Sequence, residues 1–523
     1  MSRSKNNSKN TGRNAVRPYT VMCTDIYLLW ILIVFPLYYA DGYFHLPEKK
    51  AMFWTVSTLV YVIVCMFGAV ITAFSMRESW SMENFKKNIT MTDVFMFGFL
   101  ISNLIALLMS DNPMGSWVGQ NARYYGARVL ILVCVVYFLV SRYAWINQVF
   151  IVAFLIGGNG VCLLATFDYF GMDVLGINKQ MQPSDWLVFI STMGNANTCA
   201  SYVTMAVAGA ICYFCVAKGM KAKIFAGISV VNCSMALITA KSDSVFVGAF
   251  VIILLITILG FYSKIEWLQY FLSLALIDMG ILILILFRSR PVPKWVWQYF
   301  DSGIAGILVN EYKILILILI VLLMICGIIL YIRKKEIKLN TKRGFLFGGI
   351  TVTVFLIALM LIKVDALELF RQAMGMGAEH VEGSRAYIYQ RVLQSYRQLP
   401  LINKFFGCGQ ATISNVLNQY FGDELATAGI SINSAHNNIL DYLITTGLFG
   451  VVCYLGILIS LIKHGWDAFR ESKYAIVFGV VVIAYFAQGL FNIDQTNTTT
   501  IYWLMIACCE AMYRKNVMKK VDY

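Results

Sequence analysis

Charge is scarce in this sequence. Asp, Glu, Lys and Arg make up 13% of its 523 residues, and histidine occurs four times. A soluble domain averages about 25% charged residues, so an ordinary water-soluble globular protein is excluded. Nucleotide and metal signatures are missing too. The chain has no P-loop, no dinucleotide fingerprint, no His-Glu-x-x-His and no EF-hand loop. The segment Ser242-Asp243-Ser244 has a single carboxylate where metal-dependent sugar transferases carry an Asp-x-Asp pair. No cofactor and no metal site are therefore expected.

Apolar residues are abundant, at 59%, with a mean hydropathy of +0.69. They fall in long blocks, and a bilayer-crossing helix needs about 20 predominantly apolar residues. The blocks predict an all-α, polytopic membrane helix bundle of about 14 spans, with 12–14 allowed. They lie at residues 26–39, 52–74, 94–109, 125–140, 149–167, 198–216, 224–240, 245–262, 267–287, 314–332, 345–362, 439–462, 474–491 and 501–513. One long, mostly helical outer loop precedes the third-last span. The first block lacks a small-residue cleavage site behind it and reads as a retained helix, not a signal peptide.

The net charge of +14 does not mark a nucleic-acid partner, because the basic residues are spread over short loops. Of the 42 Lys and Arg, 26 occupy alternate loops and the two tails, which the positive-inside rule places in the cytoplasm. The chain then divides into a basic tail (1–20), a transmembrane bundle (21–362), an extracytoplasmic lobe (363–438), C-terminal transmembrane helices (439–513) and a second cytoplasmic tail (514–523). The outer segment 363–438 is far longer than ordinary connections, and such loops are functional or disordered. Tyr387, Val392, Leu393, Tyr396 and Leu399 at helical spacing favour a folded lobe. Most of the thirteen cysteines sit in apolar blocks, so no disulfide framework is implied. The Cys212-x-x-Cys215 pair reads as membrane-helix packing.

His436 stands where the lobe meets the helix beginning near Ile439. Exposed amides at a helix start favour anions and keep an imidazole neutral, able to accept a proton. Arg385, Arg391 and Arg397 share its loop, while Lys241 and Arg123 sit at outer helix ends. Guanidinium forks suit phosphate, and the internal alternative is pairing with Asp243, Asp365 or Glu368. Arg385 and Arg391 do not share a helical face, and Arg385 is the favoured one. Asp441, one turn after His436, either orients the imidazole or favours the helix start. Asp278 lies in mid-span and offers a weaker reading as an ion path.

Taken in order, these segments resemble the O-antigen ligase and O-antigen polymerase superfamily of bacterial membrane glycan transferases. Gly119-Gln120-Asn121-Ala122-Arg123-Tyr124-Tyr125-Gly126 is similar to its G-x-x-x-R-x-x-G segment, and Gly194-Asn195-Ala196-Asn197 to its G-N-x-N helix start. Arg385 with Tyr389, followed by Phe406-Gly407-Cys408-Gly409, resembles R-x-x-x-W…F-G-x-G. His436-Asn437-x-x-Leu440, then Gly447, Gly450 and Tyr454, resembles the H-N-x-x-L…G-x-x-G-x-x-x-Y signature. Two departures stand out: Tyr389 replaces a tryptophan, and Lys241 stands where the family often has arginine.

The resemblance implies transfer of a glycan from undecaprenyl diphosphate to an acceptor hydroxyl at the outer face of a bacterial cytoplasmic membrane. It implies His436 as base and Arg385 as catalytic cation, with Lys241, Arg123 and Arg391 on the diphosphate. Asn437, Asn195, Asn197, Tyr389 and Asp441 would support them. Partners are the undecaprenyl-diphosphate-linked glycan, an acceptor glycan or lipid, and the bilayer. Polymerisation of a surface polysaccharide is favoured over a ligase or a protein O-oligosaccharyltransferase. A lipid or ion transporter is the reading from another class, and the lack of an internal repeat weighs against it.

Overall fold

A computed structural model describes residues 19–76, 88–120, 123–177, 181–182, 188–262, 265–287, 303–335, 349 and 384–518. It is a polytopic α-helical membrane bundle. The bundle helices in chain order are α1 (Tyr19–Leu37), α2 (Gly42–Met76), α3 (Met91–Leu108), the short α4 (Pro113–Val118), α5 (Ala127–Tyr143) and α6 (Gln148–Tyr169). After a two-residue ribbon, Phe189–Ile190 with Gly194–Asn195, come α7 (Ala196–Val216), α8 (Met220–Thr239), α9 (Ser244–Tyr262) and α10 (Trp267–Leu286). Then follow α11 (Gly303–Asn310) and α12 (Tyr312–Lys334). Among the described residues nine helices are long and apolar enough to cross a bilayer: α1, α2, α3, α6, α7, α8, α10, α12 and one near the C-terminus. The expected span at 345–362 lies outside the described residues, as does most of the outer segment 288–311.

The core forms around α7, which is buried along its length and packs against α6, α8 and α9. Without a hydrophobic force between helices in lipid, close approach depends on small residues. That is the chemistry here: a Cβ on Gly158 of α6 would sit 3.1 Å from the Ala206 side chain of α7. At one end of the bundle Asp93 of α3 is paired with Arg142 and Arg514, and Lys515 stacks on Trp145. The loop after α5 and the C-terminal segment, both assigned to one side by charge, thus meet at one end.

At the other end sits the lobe. Within it, α13 (Arg385–Gln398), α14 (Leu401–Phe406) and α15 (Ile413–Ala428) enclose a small core of Tyr387, Val392, Leu417 and Leu425. The expected single span at 439–462 is instead two helices, α16 (Asn438–Thr445) and α17 (Gly447–Glu471). The physical cause is a backbone junction. Gly407, Cys408 and Gly409 pass so close to the end of α16 that the Cys408 and Gly409 amides donate to the Ile444 and Thr445 carbonyls at 2.9 and 3.1 Å. Gly447 at φ 69° then turns the chain into the bundle, where α17 packs on α3. The last two helices, α18 (Ala475–Gly489) and α19 (Thr496–Tyr513), pack on α7 and α5 respectively.

Gly407 has φ 82° and ψ −178°, a region essentially restricted to glycine, and a Cβ there would lie 2.2 Å from the Thr445 carbonyl oxygen. Gly407→Ala is expected to destabilise the lobe by about 1–3 kcal/mol, read as earlier thermal unfolding and faster proteolysis in detergent. Gly422→Ala, where nothing stands within 4 Å, is the control and should not lower stability. Equal behaviour of the two variants would contradict the docking described.

Candidate functional site

His436 occupies the turn between the lobe and α16, with φ 52°. A left-handed conformation costs a residue with a Cβ roughly 1–2 kcal/mol, so neighbouring bonds must hold it. The Asp441 carboxylate accepts the Ser434 hydroxyl at 3.0 Å and the Ala435 amide at 2.9 Å. Ser434 Oγ in turn accepts the His436 amide at 2.9 Å. Asp441 therefore shapes the turn and does not bond the imidazole. Asn437 caps α16, its Oδ1 accepting the Ile439 and Leu440 amides at 2.9 and 3.0 Å. Its Nδ2 donates to the Leu490 carbonyl, 3.0 Å away.

Tyr389, one turn into α13, shares its hydroxyl proton between the His436 carbonyl (3.1 Å) and the Leu490 carbonyl (3.0 Å). Three segments thus converge on one peptide: α13, the His436 turn and the loop after α18. Arg385 opens α13, whose N-cap is Ser384 and whose first turn has no acidic residue. Burial and the charges of Arg385 and Arg123 hold the His436 imidazole down to about 3. It is neutral at physiological pH, and its Nδ1 is buried without a hydrogen-bond partner. Arg385 itself interacts with Tyr389 and Asp243, so the internal partner expected from sequence is present at Asp243. The other two, Asp365 and Glu368, lie outside the described residues, as does His380.

Arg123 reaches the same region from the segment before α5. Its guanidinium donates to Asn433 Oδ1, and the Asp441 and Asp494 carboxylates act on it. Asp494 was not among the residues singled out from sequence. It lies between α18 and α19, accepts from Tyr442 (3.1 Å), Tyr485 (3.2 Å) and Thr499 (3.2 Å), and is pushed up to about 6 by burial and then by Asp441. The polar run Asn492 to Asn497 between two apolar blocks is the signal that marks this loop.

Asn195 and Asn197 are interior fasteners. Asn195 Oδ1 caps α7 through the Asn197 amide at 2.8 Å. Asn197 accepts from Ser242 (2.8 Å) on the α8–α9 loop and from Asn492 (2.7 Å) on the α18–α19 loop. Lys241, at φ 51°, is buried, and burial brings its ammonium down to about 8 against the opposing pull of Asp168. Its charged neighbour is Asp168, while Asp243 two residues on faces Arg385. Arg391 is engaged elsewhere: it binds Glu424 through Nε at 2.9 Å and lies over the Tyr387 and Phe421 rings. It is a fastener of the lobe, on another face of α13 from Arg385, and Arg397 is exposed. Asp278 is buried in α10 with Oδ2 unpartnered, and Cys212 and Cys215 are buried, unbonded thiols of α7.

Residues 300–455 match the family model described as O-antigen ligase. The matched segment contains Arg385, Tyr389, the Gly407–Gly409 junction, His436 and α16. It supports the O-antigen ligase and polymerase superfamily resemblance seen in the motifs. A comparison with curated proteins found no match.

An ordinary histidine titrates near 6.5. With four histidines in the chain, selective isotope labelling and NMR can follow each imidazole, with His436→Ala assigning the signal. The His436 resonance should remain that of a neutral ring from pH 7 down to pH 5. Arg385→Gln should move its titration upward by removing one repelling charge. Uptake of a proton near pH 6.5 in the unsubstituted protein would contradict the electrostatics described.

Proposed function

With the O-antigen ligase match as premise, we propose that this chain is a membrane glycosyltransferase acting on undecaprenyl-diphosphate-linked glycan. It passes that glycan to an acceptor hydroxyl at the outer membrane face, with polymerisation of a surface polysaccharide as the favoured outcome. The observation that carries the reading is the meeting of a neutral, half-buried imidazole with the Arg385 guanidinium at the starts of two helices, α13 and α16. Helix starts and guanidiniums both favour a bound anion. The orientation follows from charge: the Arg142, Arg514 and Lys515 end faces the cytoplasm, with both tails, and the lobe faces out.

In the reaction the acceptor O–H attacks the anomeric carbon. Its proton passes to His436 as the new C–O bond forms. The bond from the anomeric carbon to the phosphate oxygen breaks, and undecaprenyl diphosphate leaves with the electron pair, giving inversion. Arg385 stabilises the charge growing on that leaving group. Lys241, with Asp168 as its charged neighbour, stands two residues before the Asp243 that acts on Arg385, and is the second cation assigned to the diphosphate. Arg391 and Arg123 are not assigned there, because Glu424 holds the first and Asn433 with two carboxylates the second. The arriving phosphates neutralise Arg385, the stronger of the two charges that depress His436, so substrate binding raises the basicity of the base. Asn437, Tyr389 and Asp441 act by positioning the His436 turn.

The test is incubation of purified protein with lipid-linked oligosaccharide and no nucleotide sugar, followed by sizing of the products. A ladder of repeats is expected. A single addition to a distinct acceptor would favour a ligase instead. His436→Ala should lower turnover by about 10²–10⁴-fold, the usual worth of a general base, in protein that still accumulates in the membrane. Normal transfer by that variant, or no transfer by the parent chain, would overturn the reading.

A further inference from the structure

Beneath the His436 turn, between the Gly119–Arg123 segment and the lobe, lies a partly open cavity. Its walls include Gln120, Arg123, Tyr125, Gln410, Asn433 and Tyr442. Two observations bear on what it holds. The first is Gln410, only 2% exposed. Its Nε2 donates to the Asn103 carbonyl (3.1 Å) and side-chain oxygen (2.9 Å), which fixes the amide. Its Oε1 is left without a donor. A buried acceptor with no partner costs roughly 1–3 kcal/mol, and a ligand hydroxyl would supply the missing proton.

The second observation is charge. Arg123 is the cation of this wall, and Asp441 and Asp494 oppose it across the same cavity. That balance leaves no surplus positive charge for a second phosphate. What remains on the wall is a set of amide groups beside the Tyr125 and Tyr442 rings, whose hydroxyls lie 3.3 Å apart. Amides pair with hydroxyls, and aromatic faces accept the C–H faces of a ring. A neutral, polyhydroxylated ring fits this chemistry, and a diphosphate does not.

We propose that this cavity is the acceptor subsite, taking one sugar ring of the acceptor glycan between Gln410, Asn433 and Arg123 and presenting its hydroxyl to His436. The inference rests on the transferase reading above and deepens it. It separates the two substrates: the carrier's phosphates belong with Arg385, the acceptor's sugar with Arg123. Gln410 and Asn433 then determine acceptor specificity.

The probe is the repeat-unit oligosaccharide released by mild acid from the host's own lipid-linked pool, so that it carries neither lipid nor diphosphate. Its binding to the purified full-length protein is measured by saturation-transfer NMR. Ala411 lies in the cavity wall in a left-handed turn, and Ala411→Leu fills the space without adding a β-branch. Ala411→Leu and Gln410→Met should each weaken oligosaccharide binding by about tenfold or more. Arg385→Gln should leave it unchanged. In transfer assays with the released oligosaccharide as acceptor, Ala411→Leu should raise the KM for acceptor, with the KM for lipid-linked donor unaltered. Unchanged oligosaccharide binding in both cavity variants, or a rise in donor KM instead, would overturn the subsite while transfer by the parent chain keeps the transferase reading. Absence of transfer by the parent chain would remove that reading itself.

Discussion

Two guanidiniums and an imidazole that act on one another while half-buried are costly to assemble. Like charges repel, and burial disfavours every charged form. Here the imbalance falls on His436, which gives up its proton, while Asp243 partly answers Arg385 and Asp441 with Asp494 answers Arg123. Much of the lobe's attachment to the bundle serves to keep that arrangement in place. Its geometry suits a reaction in which an anion arrives, is held, and departs more negatively charged.

The positioning is carried by backbone as much as by side chains. The Leu490 carbonyl gathers Asn437 and Tyr389, and through Tyr389 the His436 carbonyl. The loop containing it continues into Asn492 and Gln495, which bond α7 at Asn197, Ser201 and Thr198. A polar clasp of this kind at the lobe end of an apolar bundle is costly to leave unsatisfied. It ties the site to α7, which is buried along its length. The break between α16 and α17 has the same logic: glycines at 407 and 447 let lobe and bundle backbones come into contact, at the end of α16 opposite His436.

The helical bundle was legible in the sequence, since long apolar blocks leave few alternatives in lipid, and all thirteen predicted blocks that fall among the described residues are helical. The order of the motifs singled out His436, Arg385 and Tyr389, whose segments the fold brings together. What the sequence obscured depended on contacts between distant segments. The span at 439–462 looked continuous because hydropathy does not register a junction with Gly407. Arg391 looked like a phosphate ligand because Glu424, 33 residues away, is not visible as its partner from spacing alone. From sequence Asp441 reads as orienting the imidazole or favouring the helix start, and its bonds to Ser434 and Ala435 show another use, in shaping the turn. Gln410 and Asn433 matched no pattern, and only the polar stretch around Asp494 marked it, because ordinary polar residues acquire meaning only when the fold closes them around a cavity.

In the proposed reaction a cation holds the leaving group and an imidazole moves a proton. Equilibrium binding of undecaprenyl diphosphate, the leaving group of that proposed reaction, to purified protein in detergent tests this most directly. Arg385→Gln should weaken binding by about tenfold or more, as loss of a charge-assisted phosphate contact does, while His436→Ala should bind the carrier as well as the parent chain. Undiminished binding by Arg385→Gln would contradict the central claim.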